Sequence, residues 1–137
     1  MSESKRYVLD LCDEVMGEPA ERGHRFDWLL GDPGESGRQQ KLPVDAYWPG
    51  HQLVVDYRGP LRDRPNQLFD KPGTPTVSGV DRSEQRDLYD MRRDAEIPTH
   101  GLRLVVIRPA DLDADDRGNL RRNRESDLVA VQALLKS

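Results

Sequence analysis

Apolar positions in the first sixteen residues recur at helical spacing. Tyr7, Val8, Leu11, Cys12, Val15 and Met16 share one face, and Gly17 and Pro19 close the run. The pattern predicts a helix over residues 4–16. Phe26 to Leu30 form a short apolar run that predicts a strand over 26–30, closed by Gly31, Pro33 and Gly34, and the polar residues 35–40 read as a loop. Residues 41–48 and 52–58 are β-rich runs on either side of Pro49-Gly50, which predicts a hairpin. Leu53, Val54 and Val55 are apolar in succession, as in a strand covered on both faces. Residues 59–80 combine proline and glycine with few periodic apolar positions and read as a long connection. Asp81 and Glu84 have capping-box spacing and open a helix over 82–96, with Leu88, Met91 and Ala95 as its apolar stripe and Pro98 and Gly101 at its end. Residues 102–107 form the clearest strand, stopped by Pro109. After an acidic loop over 111–118, Leu120, Leu128, Val131, Leu134 and Leu135 mark a final helix. The predicted order is αβββαβα without internal repeats, an α/β fold.

Length and composition narrow this further. A chain of 137 residues suits a single domain, 1–137, with its own core. Charged residues at 34% rival hydrophobic ones at 35%, so that core must be compact. Cys12 is the only cysteine, which excludes an internal disulfide and a thiolate zinc cage. No apolar run has the length of a membrane span, and the N-terminal Met-Ser-Glu-Ser-Lys-Arg does not read as a signal peptide. The expectation is a cytoplasmic protein with no membrane partner. A net charge of −4 does not mark a dedicated nucleic-acid binder. Arginines nevertheless outnumber lysines by seventeen to four, and arginine forks suit phosphate, although a compositional bias explains the same ratio.

The hairpin carries the candidate chemistry. Folding it about residues 49–52 pairs Trp48 with Leu53 and Ala46 with Val55, and so places Asp45 opposite Asp56. Opposed Cβ atoms on one sheet face are about 4.5–5.5 Å apart. Like charges at that separation need a cation between them. Two carboxylates with a backbone carbonyl and waters make a magnesium or manganese site, in which the ion polarises a phosphodiester and acidifies a water. Arg58 shares the face of Asp56 by strand periodicity and is placed to stabilise developing charge. The alternative is an aspartate that faces solvent or pairs with a neighbouring arginine.

In this order of elements, Pro43-Val-Asp45 followed by Asp56-Tyr-Arg58 resembles the PD-(D/E)xK nuclease superfamily. The hairpin followed by Gly59, and the string Asp90-x-x-Arg93-x-x-x-Ile97-x-x-x-Gly101 before a hydrophobic strand, are similar in pattern to very-short-patch-repair endonucleases. The resemblance spans residues 26–108. It implies a restriction-endonuclease-like fold, a mixed four-stranded sheet flanked by helices. It further implies a magnesium- or manganese-dependent endonuclease with Asp45 and Asp56 as metal ligands and catalytic acids, and nucleic acid, DNA foremost, as partner. A homodimer is a further expectation, since double-strand cutters need two sites.

Three departures qualify the resemblance. Asp56 stands where glutamate is usual, Arg58 stands for lysine and cannot act as a base, and Pro60, Leu61 and Arg62 stand where such relatives carry a histidine. Lys71, Lys41 and Gln85 are candidates for the missing group. Gln85 and Tyr89, four apart on one helix face, resemble the Gln-x-x-x-Tyr element of RecB-type nucleases, and so Gln85 is a candidate to orient water or substrate. Arg62, Arg64 and Lys71, in the long connection, are the phosphate-binding candidates. Glu14 is either a further ligand or a solvated helical acid. The opposing expectation is a decayed member of the same scaffold that binds nucleic acid or protein without cutting it.

Overall fold

The computed structural model describes residues 2–33, 36–60 and 82–136. Its elements are α1 Glu3–Met16, β1 Glu21–Pro33, β2 Gln39–Trp48, β3 Leu53–Tyr57, α2 Arg82–Thr99, β4 Arg103–Ile107 and α3 Arg124–Lys136. The αβββαβα order is the expected one. The strands form one mixed four-stranded sheet in the order β1-β2-β3-β4, antiparallel except for the parallel pair β3–β4. Parallel neighbours require a crossover, and the chain passes through α2 between them.

Each face of the sheet has its own core. On one side α1 and α3 cover Ala46, Trp48, Leu53, Val55, Tyr57 and Ile107. On the other, Tyr89 and Ile97 of α2 pack with Phe26, Leu29, Leu42, Val44 and Val54. β3 is buried at all five residues because both of its faces are covered, and alternate residues feed opposite cores. The two helices of the first side are also joined through a polar contact. The Tyr7 hydroxyl donates to Asp127 Oδ2 at 2.5 Å, and Asp113 N–H donates to the other oxygen at 2.9 Å.

β2 departs from simple alternation. Leu42, Val44, Ala46 and Trp48 have the same parity, which a strict period of two would place on one face. Leu42 and Val44 instead join the α2-side core, whereas Ala46 and Trp48 join the opposite one. The strand turns over at the residue between them, Asp45.

Local boundaries follow their caps. The Ser2 hydroxyl accepts from Lys5 N–H at 3.1 Å and starts α1, and Gly17, at φ 77°, ends it by donating to Asp13 O. The hairpin turn is a single 3-10 turn over Pro49–His51, after which Gln52 is left-handed at φ 50°. At Gly31 of β1 the Tyr89 ring of α2 lies close against the strand. A Cβ there would lie 3.0 Å from both Leu42 Cδ2 and the Tyr89 ring.

The structure corrects several expected boundaries. β1 runs thirteen residues rather than five, because an edge strand leaves polar residues outward. Its period is also broken by Gly23 at φ 65° and by register shifts between Arg25 and Leu30. β2 begins at Gln39, inside the expected loop. α2 continues through Pro98 to Thr99, and Leu120 lies before α3, in an isolated bridge to Ala114. The largest correction concerns the face of α2. Leu88 and Met91 are exposed, at 39% and 64%, and Ala95 is exposed too. The buried stripe is Gln85, Tyr89, Arg93 and Ile97. Polar side chains can hold an inner face when the sheet supplies partners, and a purely apolar count overlooks them. Arg62, Arg64, Lys71 and Asp81 lie outside the described residues.

Cys12 is fully buried in the α1–α3 core, and burial, then the adjacent Asp13 charge, push its thiol up to about 12. In the native protein at pH 8 it is expected to resist a disulfide-exchange reagent, reacting with one equivalent only after unfolding in guanidinium. Rapid native labelling would contradict this packing of α1.

Candidate functional site

The β2–β3 ladder pairs Trp48 with Leu53, Tyr47 with Val54 and Ala46 with Val55. Asp45 and Asp56 come next in that register, and there side chains replace the ladder. Asp45 N–H donates to Asp56 Oδ1 at 3.1 Å, and Tyr57 N–H donates to Asp45 Oδ2 at 2.8 Å. Each carboxylate therefore satisfies a backbone donor of the facing strand. Both are largely buried, with side chains 13% and 6% exposed. Two buried carboxylates facing one gap require positive charge nearby.

Three elements supply it. From α1, Lys5 Nζ lies 2.8 Å from Asp45 Oδ1, with its side chain 8% exposed. From just beyond β3, Arg58 Nη2 lies 3.4 Å from Asp56 Oδ2 and donates to Asp94 Oδ1 at 2.8 Å, while Nη1 donates to Asp94 Oδ2 at 3.2 Å. Its Nε is 3.6 Å from Asp90 Oδ1. From α2, Arg93 Nε donates to Pro43 O at 3.1 Å and lies 3.9 Å from Asp56 Oδ2, and Nη1 donates to Asp90 Oδ1 at 3.0 Å. Among the described residues, Asp45, Asp56, Asp90 and Asp94 thus face Lys5, Arg58 and Arg93.

Burial, and next the Asp56 charge, push the Asp45 carboxyl above the usual carboxylate range, with Lys5 and the Tyr57 N–H acting against them. Burial opposes the Arg58 charge, but Asp94, Asp56 and Asp90 together hold the guanidinium above its ordinary value. A cleft of about 380 Å³ opens beside Arg58, Gly59, Asp90 and Asp94, with Asp87, Met91 and Arg108 on its walls. Asp94 is half-exposed and is the solvent-facing member of the cluster.

The structure brings Asp45, Asp56 and Arg58 together. Gln85 is buried on the sheet-facing stripe of α2 and makes no hydrogen bond to either aspartate, and Tyr89, on the same stripe, accepts from Asp32 N–H toward β1. Lys41 pairs with Asp27 at an exposed position, and Glu14 pairs with Arg124 of α3. The phosphate candidates Arg62, Arg64 and Lys71 are outside the described residues. Asp90 and Arg93 belong to the string noted in the sequence, but their place at the aspartate pair was not anticipated. Lys5 and Asp94 were missed altogether. Lys5 carried a signal, for Lys5, Val8, Leu9 and Cys12 follow the i, i+3, i+4, i+7 spacing of the buried face. A lysine on such a face needs a carboxylate partner.

As a cation site, the pair offers hard oxygen donors that suit magnesium or manganese. Asp45 Oδ1 and Asp56 Oδ2 contact side-chain cations rather than backbone, and side chains can yield to a metal ion. Among the described residues, no group of three or more His, Cys, Asp and Glu side chains is arranged to hold a metal. Those two aspartates would be the protein ligands. No family model, curated protein or solved structure matches the chain.

Removing one partner of a buried ion pair leaves an uncompensated charge. Lys5→Met and Asp45→Leu are each expected to cost about 3–5 kcal/mol in urea unfolding, and the double variant should recover much of that loss. Asp94→Ala, at a half-exposed site, should cost about 1 kcal/mol or less. Additive effects of the two changes at Lys5 and Asp45 would show that this pair is not coupled.

Proposed function

We propose that the chain is a metal-dependent nuclease on a restriction-endonuclease-like scaffold, hydrolysing phosphodiester bonds in nucleic acid, with DNA as the principal substrate. The observation that carries this reading is the placement of Asp45 and Asp56 as facing carboxylates where β2 and β3 part. The αβββαβα order, the mixed sheet and the adjoining cleft support it. Asp45 and Asp56 would hold Mg²⁺ or Mn²⁺, which supplies polarisation of the phosphodiester and acidification of the attacking water. In the overall reaction a water oxygen bonds to phosphorus as one ester P–O bond breaks, and the water's protons go to the leaving oxygen and to solvent. Arg58, aimed by the Asp94 fork, would stabilise charge on the phosphoryl oxygens. Arg93 holds Asp56 and the Pro43 carbonyl in place from α2. Arg62, Arg64 and Lys71 complete the scheme as phosphate contacts.

One observation favours a second reading. Arg58 already joins Asp56 to Asp94, so a cation that the carboxylates need is built into the chain. In that reading the domain binds nucleic acid or protein without cutting it.

Metal separates the two. In the nuclease reading, millimolar Mn²⁺ raises the melting temperature of the wild-type chain by several degrees through mass action. That shift should vanish in Asp45→Asn and Asp56→Asn, which should also lose Mg²⁺- or Mn²⁺-dependent cleavage of plasmid DNA by at least about 100-fold. An unmoved wild-type melting curve with no cleavage leaves the binding module as the answer.

A further inference from the structure

The β3 triplet ends in arginine, yet the site does contain a lysine, delivered from another element. Lys5 stands in the first turn of α1, where the Ser2 cap holds its backbone, and its side chain runs inward along the face shared by Val8, Leu9 and Cys12. Its ammonium is buried beside Asp45 Oδ1 at 2.8 Å. An ammonium has three donors. Only one has an acceptor among the described residues, at Asp45. A buried ammonium with two protons that have no acceptor among the described residues, touching one member of a facing carboxylate pair, is poised for an anion arriving at that pair.

Resting on the nuclease reading, we propose that Lys5 is the site's functional lysine: it orients Asp45 and donates its remaining protons to a non-bridging oxygen of the phosphodiester held at the Asp45–Asp56 pair. The arrangement divides two tasks. A compact ammonium neutralises the phosphoryl charge on the Asp45 side, and the planar Arg58 fork, tied to Asp94, does so on the Asp56 side. No proton transfer by Lys5 is required, because its contribution is charge at a fixed position.

Lys5 and a metal ion would approach the same oxygen, Asp45 Oδ1. Taking away the ammonium therefore removes a competing positive charge while removing the anion's donor. Metal affinity and chemistry should move in opposite directions, whereas general damage to the fold would weaken both.

The test uses the intact chain, with Lys5→Gln as the principal variant because its amide can still donate to Asp45 and hold α1 in place, and Lys5→Arg as the conservative one. Mn²⁺ binding is measured by titration calorimetry, and supercoiled plasmid cleavage under saturating Mn²⁺ is followed at a temperature where melting curves show each variant folded. Lys5→Gln is expected to bind Mn²⁺ about three- to tenfold more tightly and to cleave at least about 100-fold slower, with KM changed by less than about threefold. Lys5→Arg is expected to regain about tenfold or more of the lost rate, because a guanidinium also carries charge and spare donors. Cleavage by Lys5→Gln within about threefold of wild type overturns the assignment, as does a parallel loss of Mn²⁺ affinity and rate. A wild-type chain that neither binds Mn²⁺ nor cleaves would instead overturn the nuclease reading itself, a result distinguishable from the failure of Lys5 alone.

Discussion

Two aspartates facing each other across a parting pair of strands impose the constraint on which the rest of this molecule depends. Buried carboxylates are tolerated only with donors and positive charge at hand, and each element around them provides some. The facing strands give backbone N–H groups at Asp45 and Tyr57, α1 gives Lys5, the end of β3 leads into Arg58, and α2 gives Arg93. The cluster thus ties both faces of the sheet to one point. Apolar burial supplies most of the favourable free energy of such a domain, but it is non-directional. The charge cluster is directional, and it fixes where α1 and α2 sit along the strands.

The turnover of β2 follows from the same point. Up to Asp45 its even-numbered residues face α2, and beyond it they face α1 and α3. With carboxylates in place of ladder partners at that step, the strand is free to rotate without leaving backbone donors unsatisfied. One rotation lets a single strand fill two cores. The inner face of α2 becomes intelligible too. Arg93 reaches the Pro43 carbonyl, and Tyr89 meets the Asp32 N–H, so that a helix of low apolar content docks through directed bonds beside one isoleucine.

Much of this was legible in the residues, and what was not has physical causes. The hairpin register followed from Pro49-Gly50 and the alternation around it, because a turn and two apolar runs leave few ways to pair. The α and β elements were placed in order for the same reason. The length of β1 was hidden because an edge strand with a bulged register shows neither alternation nor a continuous apolar run. Leu88 and Met91 misled because periodicity cannot tell an inward apolar residue from an exposed one on a helix whose buried face is polar. At the site, the aspartates were visible as a like-charged pair, but their cations were not. Lys5 is forty residues from Asp45, and Asp94 is thirty-six from Arg58, separations at which only the completed topology creates contact. The polar position on the buried face of α1 was the one local hint.

The cations around the pair are not held equally, and that inequality bears on function. Lys5 meets Asp45 in a buried setting, where breaking the pair strands a charge. Arg58 makes its closest contacts with Asp94, which is half-exposed and borders the cleft, while its contact with Asp56 is longer at 3.4 Å. Arg58 and Asp56 are themselves buried, with side chains 8% and 6% exposed, and Arg93 Nε lies 3.9 Å from the same Asp56 oxygen, so a metal ion at Asp56 Oδ2 would have to displace both guanidinium contacts. The compact ammonium of Lys5 thus meets the pair from α1, and the planar Arg58 fork meets it from the side that borders the cleft.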